Sequence, residues 1–346
     1  MTTMRTRAVA LIVVALVALL AACGSDPDPL SRTPDEQAAS SLGLTGPQAE
    51  TLASLEQVDD YPLYTMHHYA PEPLVVGAAA THAFAGQAWG CSLFAAVGDP
   101  EAGVFGRNFD WEFSPALLLF NHPSDGYSSA AMVDIEYLGF PGDQSSDLTK
   151  KPLDEILGLL DAHSIPFDGM NEAGLVVGMA AVPETYVPQD PTRETVDSLG
   201  IIRVMLDRAA TVDEAVELMH SYNVDFTGQT PLHYLLADAS GDSALIEYLD
   251  GELSVLRPEG VWLHATNFLV SPVDSTSGHC ARYDTITAEL QSNEGTMDFD
   301  DAMKLLERVA QPHTQWSMVY GIDSSEIRVV VGQNYGTVHI FSLEMD

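Results

Sequence analysis

Residues 91–111, CSLFAAVGDPEAGVFGRNFDW, are two apolar runs of strand length separated by GDPEAG. Such runs pair across their turn as an antiparallel hairpin, which commits the chain to building a sheet around them. A second unit of this kind follows in FDGMNEAGLVVGMAAV, whose turn carries Asn171, Glu172 and Gly174. HYLLADA, SALIEYLD and ELSVLR make a meander around the turns ASGD and DGE, and VWLHATN, WSMVYGI, IRVVVG and TVHIFSLE add further strands. Helical spacing is confined to a few stretches. DEILGLLDAH reads as a helix, as do residues near 281–290 and 300–310. Between residues 197 and 222, Ile201, Ile202, Met205, Leu206, Ala209, Val212, Ala215, Val216 and Met219 recur at helical spacing. They predict two consecutive helices, the second capped by Thr211 with Glu214 three residues on. Strands bracketing helices in this way indicate an α+β fold, with helices on the faces of mostly antiparallel sheets. The 346 residues, 46% of them apolar, suffice for a large core in one domain or at most two.

The chain starts differently. Arg5 and Arg7 precede an unbroken apolar run from Ala8 to Ala22, followed by Cys23 and GSDPDPL. The run is short for a membrane span and has the form of a secretory signal over residues 1–22. It resembles a bacterial lipoprotein signal, with Leu20, Ala21, Ala22 and Cys23 as the lipobox. The resemblance implies a diacylglycerol group on Cys23 and an exported protein anchored at the bacterial cell surface. Residues 23–44, broken by Pro and rich in Ser, Asp, Glu and Gln, read as a flexible tether. Residues 45–90 have an ordered character: TGPQAETLASLEQV suggests a short helix, and YPLYTMHHY is apolar and aromatic. They read as a pro-segment whose aromatic part packs on the domain behind it.

Fifty acidic residues against fourteen basic ones leave a net charge of −36. Such a surface repels nucleic acid and anionic lipid, so contact with a membrane would come through the lipid on Cys23 alone. There is no Walker loop, no GxGxxG after a strand, no HExxH, CxxC or GxSxG. His67 and His68 are adjacent, but neighbours on a strand face opposite ways, and neither a metal site nor a cofactor is expected. With Cys23 lipidated, Cys91 and Cys280 form one possible disulfide or none.

The first hairpin carries chemistry. Its pairing sets Cys91 close to Arg107 and Asp110. A guanidinium beside a sulfur favours the thiolate, and a carboxylate can hold an amine in place. An inert buried cysteine near an unrelated Arg and Asp accounts for the hairpin alone equally well.

A wider resemblance separates these readings. CSLFAAVGDPEAGVFGRNFDW is similar to the opening of the N-terminal nucleophile (Ntn) hydrolases of the choloylglycine hydrolase and linear-amide hydrolase superfamily. Penicillin V acylases, acid ceramidase and N-acylethanolamine acid amidase belong to this group. FDGMNEAGLVVGM resembles its second signature, HATNF its Asn-containing strand, CARYDTI the segment with a late arginine, and TQWSMVYGI its closing strand, all in family order. The resemblance implies a four-layer αββα sandwich over residues 91–346, cut between Gly90 and Cys91 so that Cys91 gains a free α-amine. That amine would take the thiol proton and return one to the leaving amine of an N-acyl amide. Gly90 suits the strained backbone such a cut requires. Arg107 would sit against the sulfur and Asp110 would hold the α-amine. Asn171 and Asn267 would supply amide donors to substrate and oxyanion, and Arg282 would complete the polar cluster. Trp111, Phe113 and Phe140 are candidates for an apolar acyl pocket, and Cys280 is read as structural. An acyltransferase shares the covalent intermediate and stays open beside the hydrolase, as does a surface lipoprotein that keeps the fold for binding. The 67 residues between Cys23 and Cys91 move the likeness away from bile-salt hydrolases, which lose little more than their first residue.

Overall fold

The computed structural model describes residues 36–69, 90–140, 147–183, 185–227 and 229–343. The signal, Cys23, most of the tether and the last stretch of the pro-segment lie outside the described residues.

Two sheets dominate. Across the larger, in order, lie β1 (Glu56–Asp59), β2 (Leu63–His68), β5 (Ala116–Asn121), β6 (Ser129–Asp134), β7 (Asp168–Asn171), β8 (Val176–Ala181), β11 (Leu232–Ala237), β12 (Ser243–Leu249) and β13 (Glu252–Leu256). The smaller runs β14 (Trp262–Ala265), β3 (Ser92–Ala96), β4 (Val104–Asp110), β15 (Thr314–Gly321), β16 (Glu326–Val331) and β17 (His339–Ser342). Both hairpins and the meander pair as their sequences predict. A short parallel pair, β9 (Glu194–Asp197) with β10 (Tyr222–Asp225), flanks two helices and has no clear periodicity in the sequence.

The sheets pack face to face, with β3 against β8 and β11. Helices α3 (Gly200–Arg208), α4 (Val212–Ser221) and the short α2 (Gly46–Ala53) cover the outer face of the larger sheet, and α5 (Ala281–Ser292) and α6 (Phe299–Val309) that of the smaller. This is the four-layer αββα arrangement of an α+β fold. Both faces of β3 are therefore buried, and alternation sorts its side chains: Leu93 and Ala95 enter the core between the sheets, Phe94 and Ala96 the core under α5 and α6. Opposite Phe94, Gly106 leaves room for the ring, which a Cβ there would meet at 2.2 Å.

Local signals explain the helix ends. Thr45 and Gln48 form a capping box at α2, and Thr211 accepts the Glu214 N–H at α4. DEILGLLDAH departs from expectation: Leu153–Glu155 and Leu157–Ser164 are 3-10 turns. Gly158 in the middle of the run and Pro152 before it weaken continuous α-helix, and tertiary packing selects the tighter form.

Residues 45–69, expected from the sequence to belong to a pro-segment, are woven into the fold. β2 pairs in parallel with β5, from Leu63 opposite Ala116 to His68 opposite Asn121, and Leu63 and Met66 are wholly buried. His67 and His68 do face opposite ways. His67 Nδ1 lies 3.0 Å from His122 Nε2, while His68 hydrogen-bonds Asn121 at 2.9 Å and stacks on His163.

Candidate active site

The pairing of β3 with β4 sets Leu93 opposite Arg107 and Ser92 opposite Asn108, so Cys91 lies beside the end of β4. Alternation gives Cys91 two different surroundings. Its side chain shares the inter-sheet side with Leu93, Arg107 and Phe109, whereas the preceding peptide meets Asp110 on the helix-covered side. Cys91 is 4% exposed and opens into a narrow apolar cleft walled by Phe109, Trp111, Phe167, Met179 and Leu232. Of the aromatic candidates only Trp111 lines it. Phe113 is 43% exposed and packs edge-on against Tyr61, and Phe140 is buried near Gly158.

Burial, with the Asp110 charge adding to it, raises the Cys91 thiol above its ordinary pKa, opposed chiefly by the Arg107 guanidinium and less by the Asp110 backbone N–H and Arg282. Arg107 is wholly buried. One Nη1 donates to the Phe167 carbonyl at 3.0 Å and to the Asp168 carboxylate, and Nη2 points at the Met179 sulfur, 3.8 Å away. The other oxygen of Asp168 accepts the Tyr320 hydroxyl.

Asp110 is equally buried. One oxygen accepts the Thr314 hydroxyl; the other, Oδ2, has no hydrogen-bond partner among the described residues and lies 3.9 Å from Arg282 Nη1. The same Oδ2 is 3.0 Å from where a Cβ on Gly90 would stand, so it borders the Gly90–Cys91 peptide. Burial pushes the Asp110 carboxyl up to about 7 against the pull of Thr314, Arg282 and Arg107.

Arg282, in the first turn of α5, links the remaining parts. Its Nη1 donates to the Cys91 carbonyl and to Ser92 Oγ at 2.9 Å, and Nη2 to Asn267 Oδ1 at 3.0 Å. Asn267 Nδ2 in turn donates to the Ala181 carbonyl, 2.9 Å away at the cleft wall, with one N–H to spare.

Five of the residues singled out in the sequence thus converge: Cys91, Arg107, Asp110, Asn267 and Arg282. Asn171 does not. Its Oδ1 accepts the Ala173 and Leu175 N–H groups within the β7–β8 turn, and its Nδ2 donates to the carbonyls of Leu206 and Ala209 at the end of α3, so all four hydrogen-bonding positions are used. It is a turn residue with no donor left for an oxyanion. Asp168, Tyr320 and Thr314 also belong to the site and are not among the residues expected from the sequence. For Asp168 a signal existed, a lone acid between the apolar residues Phe167 and Met170 in a segment predicted as a buried strand. Tyr320 and Thr314 lie in the closing strand TQWSMVYGI without any such mark. Cys91 and Cys280 are both free thiols. Burial raises the Cys280 thiol, but the Tyr283 N–H, Thr266 and Arg282 outweigh it and the pKa is lowered.

The model of the linear amide C–N hydrolases, choloylglycine hydrolase family, matches residues 91–272. Penicillin V acylase of Pectobacterium atrosepticum is 29% identical over 170 residues, 44% of this chain and 42% of that protein. An uncharacterized protein of Paramecium bursaria Chlorella virus 1 is 32% identical over 111 residues, 29% of this chain and 40% of that protein. The chain therefore spans less than half the length of these curated relatives. Among solved structures, penicillin V acylase from Agrobacterium tumefaciens is similar with a TM-score of 0.52 at 17% identity, covering 73% of this chain and 86% of that one. A mutant conjugated bile acid hydrolase from Clostridium perfringens gives 0.53 at 15% identity, over 73% and 92%. These two likenesses concern the fold.

Proposed function

Because the chain belongs to the linear amide C–N hydrolases of the choloylglycine hydrolase family, we propose that it is a cysteine amidase that cuts itself before Cys91 and then hydrolyses N-acyl amides. The observation that carries this reading is the buried Asp110 oxygen with no hydrogen-bond partner among the described residues, at the Gly90–Cys91 peptide, where cleavage would create an ammonium group.

In the precursor, Cys91 Sγ attacks the Gly90 carbonyl carbon, the C–N bond breaks as the nitrogen takes a proton, and water hydrolyses the resulting ester of sulfur. Gly90 leaves as a carboxylate and Cys91 keeps its thiol and gains an α-amine. In turnover that amine, less basic than a lysine, accepts the thiol proton as sulfur adds to the substrate carbonyl. Asn267, through its spare N–H, stabilises the tetrahedral oxyanion, a contribution of about 3 kcal/mol for such a donor. The intermediate collapses, the leaving amine takes the proton back, and water releases the acid from the thioester. The apolar cleft takes the acyl group.

The test is a panel of N-acyl amides, penicillin V among them, incubated with cleaved protein while free amine is assayed. Stoichiometric amine and acid support hydrolysis. Appearance of acyl product only when a second amine is added would favour the acyltransferase instead.

The same reading makes residues up to Gly90 a separate chain after cleavage, tethered to the membrane if Cys23 carries lipid. The β2–β5 pairing, the Tyr61 hydroxyl on Gln315 at 2.8 Å and the His67–His122 contact all span the cut. The two pieces are expected to co-elute in native size-exclusion chromatography and to separate in denaturant. A catalytic piece that elutes alone under native conditions would refute retention at the cell surface by this route.

A further inference from the structure

Arg107 has an unusual setting for a residue meant to assist a sulfur. It is wholly buried, its guanidinium lies 5.0 Å over the Phe109 ring, and its Nε has no hydrogen-bond partner among the described residues. The group is held by its Nη atoms, on the Phe167 carbonyl and on Asp168. Asp168 is buried to the same degree and stands on the opposite sheet, in β7, while Tyr320, which donates to it, stands on β15 next to Arg107's own strand. The chain β15–Asp168–Arg107 therefore crosses between the sheets directly behind Cys91.

Stability gives little reason for such a crossing. A buried ion pair roughly breaks even against well-packed apolar residues, and the backbone of Asp168 already pairs with Met132 and Gly178. We propose that Asp168 is a positioning residue for the amide hydrolysis, fixing the Arg107 guanidinium beside Cys91 and taking up part of its charge so that the sulfur is not locked in a tight ion pair. This rests on Cys91 being the nucleophile. A guanidinium in this apolar setting with no carboxylate would take the thiolate as its counter-ion, and an over-stabilised thiolate is a poorer nucleophile. Tyr320 does the complementary task. Its hydroxyl draws on the Asp168 charge and leaves more of Arg107's charge to the sulfur.

The experiment measures iodoacetamide alkylation of Cys91 against pH in cleaved full-length protein, with peptide mass spectrometry separating Cys91 from Cys280. Asp168→Asn is expected to lower the midpoint by about one pH unit and to slow the limiting rate, because removing an anion favours the thiolate. Asp168→Glu, which keeps the charge, is expected to return the midpoint towards wild type. Tyr320→Phe is expected to move it upwards. An Asp168→Asn midpoint equal to or above wild type would overturn the proposal, since a purely architectural residue changes melting and not thiol titration. Should Asp168→Asn not accumulate folded, Tyr320→Phe decides: an upward midpoint supports the proposal and an unmoved one overturns it. Failure of the underlying nucleophile reading has a separate signature, wild-type amide turnover by Cys91→Ser.

Discussion

Cys91→Ala protein is expected to remain one uncut chain and to lose amide hydrolysis by at least about 10⁴-fold, because one sulfur serves both reactions. Cleavage needs the thiolate to attack the Gly90 carbonyl. Turnover needs it again to form the acyl-enzyme, and it needs the α-amine that only cleavage supplies. An alanine methyl fits the space beside Phe109 without disturbing the β3–β4 register, so the variant should keep its fold. Circular dichroism and melting compared with wild type would check that. A loss of only tenfold in an otherwise folded variant would mean that catalysis does not pass through the sulfur.

Asp110→Asn is expected to act in opposite directions before and after the cut. In the cleaved enzyme, Asp110 Oδ2 is positioned to receive the new ammonium of Cys91, and Asn offers no charge to hold it. We expect kcat to fall by about 10²–10³-fold, the size of effect associated with misplacing a proton-transfer group. In the precursor no ammonium exists, and burial leaves the Asp110 carboxyl at about 7. The unfolded chain ionises it near 3.9, so the unfolded state releases the proton first as pH rises. The folded precursor is therefore most stable below about pH 4 with respect to this group and loses that stability as pH climbs to about 7. The loss is of the order of a few kcal/mol. In a Cys91→Ala background, Asp110→Asn is expected to flatten this decline and to stabilise the chain at pH 8. Denaturant midpoints across pH 4 to 8 measure it, and identical pH dependence with and without the carboxyl would refute the assignment. The same physics links the site to processing. In the proposed precursor the buried Asp110 carboxyl has only Arg282, 3.9 Å away, as a nearby cation at Oδ2, and the proposed cleavage would add an ammonium there.

Much of this was legible in the sequence because strand alternation and tight turns are local. The hairpin around GDPEAG brought Cys91, Arg107 and Asp110 together without knowledge of any distant contact. Arg282 and Asn267 were nameable only through resemblance, since their meeting depends on α5 lying over β14 and β3. Asn171 shows the cost of that route. The motif lies on a hairpin turn as its sequence indicates, but the Nδ2 donors that the role required are spent on the Leu206 and Ala209 carbonyls. Asp168 and Tyr320 belong to different sheets and meet only when those sheets pack, 152 residues apart in the chain. The stretch 61–69 presents a similar limit. Its aromatic character predicts packing, but only the parallel register of β2 on β5 reveals that it extends the sheet.

Intact-mass analysis with N-terminal sequencing of purified wild-type protein shows whether Cys91 breaks the Gly90–Cys91 bond. A fragment of 256 residues, counted from 91 to 346, that begins Cys-Ser-Leu-Phe is expected. Chain uncut between Gly90 and Cys91 as the only species in preparations that hydrolyse amides would refute this, as would a catalytic fragment that begins at any residue other than Cys91.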